Sequence, residues 1–298
     1  MLLNSTILIH LSAHNYFQFI SVHPFSSVSY SSVNDEVSPL PDWLHWLEEC
    51  PSTNRWAIDH ATELQHGDVV FTRRQTAGRG QHGRTWHSPA GVLTTSLVLD
   101  HLLPHQLSGL SLVAGLAVIR AVEARVPDLT NSLQLKWAND VFAKEHKLAG
   151  ILCEATSGSQ STATRVVVGI GLNRCVDFAQ VGLSSAQIGH AISLHQLAPV
   201  IPTEWELLAQ LRDSLLQMTD VLRTIDPAEA GLTPFLSELH DRDFLRNRPL
   251  TVSLAEESLM GQGAGIDGMG RLLVELPEGG VKAFVSGRVV DWGDEVKE

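Results

Sequence analysis

The sequence predicts an α+β fold, a mixed β-sheet with flanking helices followed by a small β-barrel at the C-terminal end. Three observations predict it. Strand-like segments such as Val92-Leu-Thr-Thr-Ser-Leu-Val-Leu99 follow one another without the regular strand–helix alternation of a parallel sheet. Between Leu107 and Val122, apolar residues return every three or four positions, the period of a helix buried along its length. From Arg248 onward, short β segments alternate with glycine-rich or acidic turns.

The elements follow in order. No Lys or Arg precedes Arg55, so residues 1–40 have neither the basic start of a secretory signal nor the arginines of a transit peptide. They read as an extension outside the fold, and Pro41-Asp-Trp-Leu-His-Trp-Leu47 as the approach to it. Ser52-Thr53-Asn54 supplies N-cap chemistry for a helix that ends at Gly67. A strand over 68–72 leads into a glycine-rich loop, 78–91, and a second strand, 92–99. A long helix covers 104–126. Three segments, 133–137, 148–153 and 165–171, read as consecutive central strands, with a Gly/Ser turn at 156–162 between the last two. Helices resume at about 203–223 and 227–239, and the barrel uses segments 250–254, 259–266, 271–276 and 281–285. The expected division is therefore 1–40 extension, 41–246 main domain and 247–298 barrel.

Bulk properties exclude several function classes. The formal net charge of -12 opposes general nucleic-acid binding, which needs clustered Lys and Arg. Three cysteines without CxxC spacing make neither a disulfide framework nor a zinc ribbon, and suit a reducing, cytoplasmic setting. No apolar run is long enough for a membrane-spanning helix.

The chemistry is concentrated in Gln75-Thr-Ala-Gly-Arg-Gly-Gln-His-Gly-Arg-Thr-Trp86. Within it, Gly78-Arg-Gly80-Gln-His-Gly83 matches a dinucleotide fingerprint, and Asp100 stands twenty residues beyond Gly80. The flanks contradict that reading. Such a fingerprint must open a helix, whereas this loop runs through Ser88-Pro89 into a β-branched strand. A loop of this kind brings backbone N–H groups and the forked donors of Arg79 and Arg84 to an anion. The alternative is a mobile surface loop with solvated arginines.

Lysine usage points to the same chemistry. The chain has five lysines. Two of them, in Lys136-Trp-Ala-Asn-Asp140 and Lys147-Leu-Ala-Gly-Ile-Leu152, sit in strand-like apolar surroundings that call for an anionic partner. The alternative for each is a lysine that snorkels to solvent from a sheet edge.

Together with Ser52-Thr-Asn54, Gly83-Arg-Thr-Trp-His-Ser-Pro89 and Gly169-Ile-Gly-Leu-Asn173, these motifs resemble the biotin protein ligase family. They stand in family order, and with the barrel, where Asn247-Arg-Pro249 and Gly265-Ile-Asp267 match, the resemblance spans about residues 42–290. It implies a class II aminoacyl-tRNA-synthetase-like catalytic domain, an SH3-like C-terminal barrel and a monofunctional enzyme without a DNA-binding domain. The implied reaction joins biotin to ATP as biotinyl-adenylate, then transfers biotin to a lysine of a carrier. Implied biotin contacts are Ser52, Thr53, Asn54 and Gln75 at one end. Gly78, Arg79, Gly80, Gln81, Lys147 and Gly150 complete them. Implied ATP or adenylate contacts are Arg79, Arg84, Trp86, Lys136, Asn139 and Asn173. Lys147, Arg79 and Asp140 are the implied catalytic groups, with Asp140 the carboxylate nearest Mg²⁺. For Ser52 and Thr53, plain helix capping is the alternative; for Trp86, a core position; for Asp140, a strand-end turn or cap. The implied partner is a biotin carboxyl carrier domain of acetyl-CoA carboxylase or a related carboxylase, and the resemblance extends to a homodimer through the main sheet.

Two positions depart from the family pattern. Gln81 stands where Arg is usual, removing a charge near the adenylate, and Ala138 stands where Pro is usual, loosening a strand end. Two rivals are weaker. Lipoate ligases and octanoyltransferases of the same fold carry an Arg-Arg-x-Ser-Gly-Gly-Gly loop that this chain lacks. A biotin-responsive repressor needs a basic recognition helix, and residues 1–54 contain no basic side chain for phosphate contacts.

Overall fold

Period-two alternation builds the main sheet, because successive strand residues face opposite sides. The computed structural model describes residues 40–156, 164–184, 188–226, 231–254 and 257–293. The expected extension (1–39), most of the Gly/Ser turn (157–163) and the expected start of the 227–239 helix (227–230) lie outside them.

Seven strands form the main sheet: β1 Leu44–Leu47, β2 Val69–Thr72, β3 Val92–Leu102, β4 Leu133–Lys136, β5 Asp140–Ala143, β6 His146–Thr156 and β7 Thr164–Asn173. Their spatial order is β1-β2-β3-β7-β6-β5-β4. β1 pairs parallel with β2, and all other neighbours are antiparallel. Three expectations change here. Residues 44–47 are a strand rather than an approach to the fold. β4 lies at the sheet edge, not among central strands. A strand missed in the sequence, β5, stands between β4 and β6, joined to β4 by the turn that contains Ala138.

One face of the sheet carries the large core. Phe71, Leu97, Leu99, Ile151, Val168, Ile170 and Leu172 point there and are buried. Two helices cover them: α3 (Leu110–Arg125) and α4 (Glu204–Arg223). From Leu112 to Ile119 α3 is apolar and buried on every side, and its last turns carry Arg120, Glu123 and Arg125. α4 buries Leu207, Leu208, Leu211, Leu215, Met218 and Leu222 at helical spacing, with Ser214 and Thr219 buried beside them. Its start is fixed by a capping box in which Glu206 bonds back to Thr203. The expected 104–126 helix is broken in two, with α2 (Pro104–Leu107) ahead of α3. Gly109 causes the break: its φ is 75°, and a Cβ there would lie 2.5 Å from Leu232. After Pro234, the last helix of the main domain, α5, runs over Leu236–Arg242.

The opposite face carries a smaller core of Ala57, Leu64, Val70, Val98 and Val167 under the short helix α1 (Thr53–Asp59). Beside α1 this face is nearly bare, because β6 and β7 direct glycines to it: Gly150, Gly169 and Gly171. The alternation Gly-Ile-Gly over 169–171 therefore buries an isoleucine on one side and leaves a shallow floor on the other.

The C-terminal sheet is antiparallel, with strands β8 Pro249–Ser253, β9 Ser258–Ile266, β10 Leu272–Glu275, β11 Val281–Phe284 and β12 Arg288–Trp292 in the order β11-β10-β9-β8-β12. β12 was not foreseen in the sequence. It pairs with β8 and carries Trp292 into an aromatic cluster with Phe142 and Phe244 of the main domain. The turn at 267–270 docks as well, Trp137 Nε1 donating to Gly270 O at 3.0 Å.

Candidate active site

The first of two adjoining cavities opens over the glycine floor, and the loop between β2 and β3 borders both. The loop is a small hairpin. Gly80 N donates to Arg84 O at 2.7 Å and Trp86 N to Gly78 O at 2.9 Å. A Cβ on Gly78 would sit 2.3 Å from Trp86 O, which explains a glycine there. No helix follows the loop; β3 does, so the dinucleotide reading fails on structure as it did on sequence.

At one end of the first cavity, Ser52, Thr53 and Asn54 are all buried. Ser52 caps α1 by accepting from Arg55 N. Gln75 Oε1 accepts from Thr53 N at 2.8 Å and faces the Thr53 hydroxyl at 3.2 Å. Gln75 Nε2 donates to Ser88 Oγ. This end is rich in hydrogen-bonding groups, and Ser52, Thr53 and Gln75 carry no formal charge; the Glu154 carboxylate stands behind it, bonded to Asn54. Capping and cavity lining coincide at Ser52.

The other end is ionic. Lys147 Nζ lies 2.6 Å from Asp140 Oδ1 and 5.3 Å from the centre of the Trp86 ring. The Lys147 backbone is held on both sides, its N–H by His190 O and its carbonyl by Ile192 N and Asn173 Nδ2. Trp86 lies across the floor, so close that a Cβ on Gly171 would be 2.3 Å from its ring. Its Nε1–H is buried and has no protein acceptor among the described residues. Arg79 reaches the wall at Glu154, with 2.9 Å between them.

The second cavity is lined by Arg84, Trp86, Lys136, Asn139, Arg288 and Trp292 among others. The amide nitrogens of Asn139 and Asn173 are engaged by Ile151 O and by Lys147 O and Ile192 O, which leaves their oxygens as acceptors. Lys136 is only 7% exposed, and its Nζ lies 3.0 Å from the centre of the Trp292 ring. It does not snorkel. Except for Gly78, which lines neither, the sequence-predicted residues line one or both of these cavities. Sequence reasoning missed Ser96 and Glu154 behind the wall, and Arg288 and Trp292 from β12. Glu154 was legible in principle, since it shares the strand face of Gly150 and Leu152. Nothing in the sequence places β12 over β5.

The chain matches the model of the biotin/lipoate A/B protein ligase family over residues 46–173. It is also 30% identical over 246 residues to the bifunctional ligase/repressor BirA of Escherichia coli (strain K12), covering 80% of this chain and 70% of that protein. The chain belongs to the biotin protein ligase family. A biotin–[acetyl-CoA-carboxylase] ligase of Paracoccus denitrificans is 40% identical over 131 residues, 43% of this chain and 52% of that one. The same fold occurs in the biotin protein ligase of Aquifex aeolicus, solved with biotin and ATP (TM-score 0.67, 24% identity, 83% of this chain and 97% of that one).

In this ligase, burial pushes the Lys136 ammonium down to about 7, while Asp140 opposes that shift; Lys147, Arg288 and Arg84 add to it. The unfolded chain holds this proton up to about 10.5, so between about 7 and 10.5 the folded chain binds fewer protons and gains stability as pH rises. Below 7 the burial penalty is complete. Lys136→Met is therefore expected to be more stable than wild type below pH 7. The gap in urea midpoint should narrow as pH rises above 7, and a constant gap would refute this assignment.

Proposed function

We propose that this ligase joins biotin to ATP as biotinyl-adenylate and transfers the biotin to a lysine of a biotin carboxyl carrier domain. The observation that carries the proposal is the polarity of the cavity pair: an uncharged hydrogen-bonding end at Ser52, Thr53 and Gln75, and a cationic end at Lys147 that opens into a second, basic cavity. A ureido ring is neutral and needs short donors and acceptors; a carboxylate and a triphosphate need cations.

In the first half-reaction a biotin carboxylate oxygen attacks the α-phosphorus, and the bond to pyrophosphate breaks. Two anions approach, so fixed donors must offset the charge that builds between them. In this reading Lys147 does so, with Arg79 and Arg84 from the loop. The orphaned Trp86 Nε1–H is available to a ligand acceptor. In the second half-reaction the carrier amine attacks the acyl carbon and AMP leaves. Water competes for that carbon, so the loop's closeness to the floor matters.

Mg²⁺ accompanies ATP in this proposal. The protein does not offer a cage for it: among the described residues no group of three His, Cys, Asp or Glu could hold a metal ion, and Asp140 is already paired with Lys147. Any such ion would be held chiefly by the phosphates. A thiol route for acyl transfer is poorly served. Burial raises the Cys50 thiol to about 11 and the Cys153 thiol to about 12, and Cys175 lines neither cavity. The free cysteines suit a reducing cytoplasm. No described helix is long and apolar enough to cross a membrane. A homodimer through the main sheet remains part of the proposal, checked by light scattering.

Incubation with biotin, Mg-ATP and a carrier domain tests the transfer. Intact mass should show one biotin added to the carrier; a carrier left unmodified while ATP is consumed would contradict the transfer step. Gln81 allows a finer prediction. It lines both cavities without a charge. Gln81→Arg should slow release of the intermediate several-fold in single-turnover kinetics, and an unchanged release rate would remove Gln81 from the account.

A further inference from the structure

A chain of side-chain contacts leaves the glycine loop at Arg79, passes behind the polar end of the first cavity, and returns to the loop's far flank at Ser88. Arg79 Nη2 lies 2.9 Å from Glu154 Oε1. The other Glu154 oxygen, Oε2, accepts from Asn54 Nδ2 at 2.9 Å. Asn54 Nδ2 also donates to Leu152 O at 3.0 Å, which fixes the amide orientation and turns Oδ1 toward Ser96. Ser96 Oγ donates to Asn54 Oδ1 at 2.5 Å and lies 2.7 Å from Thr53 Oγ1. Thr53 bonds Gln75, and Gln75 bonds Ser88.

Proton bookkeeping makes one member a branch point. The single Ser96 proton goes to Asn54, so Ser96 can only accept from Thr53. The Thr53 hydroxyl then has two acceptors in reach, Ser96 Oγ and Gln75 Oε1. A ligand that bonds Thr53 or Gln75 resets this choice, while the Asn54–Glu154–Arg79 part of the chain keeps its donors and acceptors. Neither Ser96 nor Glu154 lines a cavity. Both act through residues that do. The packing leaves no slack: a Cβ on Gly169 would fall 2.3 Å from Asn54 Oδ1. Glu154 is mostly buried, at 20% side-chain exposure, and Arg79 is half exposed at 49%, so the pair is anchored on the floor side and meets solvent on the loop side.

We propose that Glu154 is a positioning residue that latches the glycine loop to the biotin-binding floor through Arg79. This rests on the biotin ligase reading above. If Glu154 acts only through Arg79, the two residues must be non-additive.

The test is a double-mutant cycle of Glu154→Gln and Arg79→Ala, read as the rate at which biotinyl-adenylate escapes in single-turnover experiments without carrier. Glu154→Gln should speed escape about tenfold. In the Arg79→Ala background the same substitution should add nothing. Additive effects would overturn the latch, because a general structural role does not depend on Arg79. Trypsin supplies a readout that needs no catalysis. Cleavage after Arg84 in ligand-free protein should be several-fold faster in Glu154→Gln than in wild type, with the melting temperature within a few degrees. Equal cleavage overturns the latch even if the protein makes no adenylate, whereas wild type without adenylate but with latch-dependent cleavage defeats only the biotin reading. Should Glu154→Gln not fold, Arg79→Gln breaks the same pair from the loop side and must raise cleavage after Arg84 in the same way; unchanged cleavage there overturns the proposal.

Discussion

Replacing Lys147 with alanine is expected to lower biotin-dependent pyrophosphate release by about a hundred- to a thousandfold, the usual cost of removing one donor aimed at developing charge. The side chain lines both cavities, 2.6 Å from Asp140 and facing Trp86. Removing it leaves the backbone contacts of residue 147 with His190, Ile192 and Asn173 in place, because none uses the ammonium. The loss should therefore appear in kcat for adenylation with little change in melting temperature. Asp140 adds a check. In Lys147→Ala its carboxylate loses a cationic partner and stands in a basic cavity, so Lys147→Ala/Asp140→Asn should be no slower than the single variant. Pyrophosphate release within threefold of wild type in Lys147→Ala would show that the charge is met elsewhere.

The second large effect comes from a methyl group. In Gly171→Ala the new Cβ would lie 2.3 Å from Trp86 Cε2 and Cζ2 and 2.6 Å from Nε1. The indole cannot keep its place on the floor. Its backbone is tied to Gly78, so the side chain must swing out and take the loop with it. Overpacking of this kind costs about 1–3 kcal/mol, and the site loses the ring that separates its two cavities. Gly171→Ala is expected to lower stability by that amount in urea titration and to reduce kcat/KM for biotin by at least tenfold. Gly171→Ala/Trp86→Ala should recover most of the stability but not the activity. Gly293→Ala, where nothing lies within 4 Å, is the neutral control. A Gly171→Ala protein as stable and active as wild type would mean that the ring does not need this floor.

The sequence carried the local part of this fold well. Strand periodicity, the Ser-Thr-Asn cap and the apolar helix of 110–125 are properties of neighbouring residues, and each stands near its expected place. What it did not carry was order in space. β4 looked like a central strand because Leu133 and Leu135 are apolar, yet their burial comes from the core helices and not from two neighbouring strands. β1 and β5 have four residues each, but β2 and β4 are as short and read as strands, so length alone does not explain the two that were missed. Pro104–Val126 read as one helix because Gly109 interrupts it without disturbing the apolar spacing. The site was legible in proportion to how continuous its motifs are. Lys147, Gln75 and Arg79 announce themselves in short runs. Glu154, Ser96 and Trp292 act across the sheet or from the C-terminal strands, at separations up to 156 residues in the case of Lys136 and Trp292, and single-chain patterns do not register contacts of that range.

Pairing of an uncharged end with a cationic end, in one site, for one ligand, is the claim on which the rest depends. Biotin-dependent ATP–pyrophosphate exchange tests it most directly, since it reads the first half-reaction alone and needs no carrier. The account predicts exchange with biotin and none with lipoate or octanoate, which lack a ureido ring to meet Ser52, Thr53 and Gln75. Exchange driven equally by lipoate or octanoate, or no exchange with biotin, would contradict it.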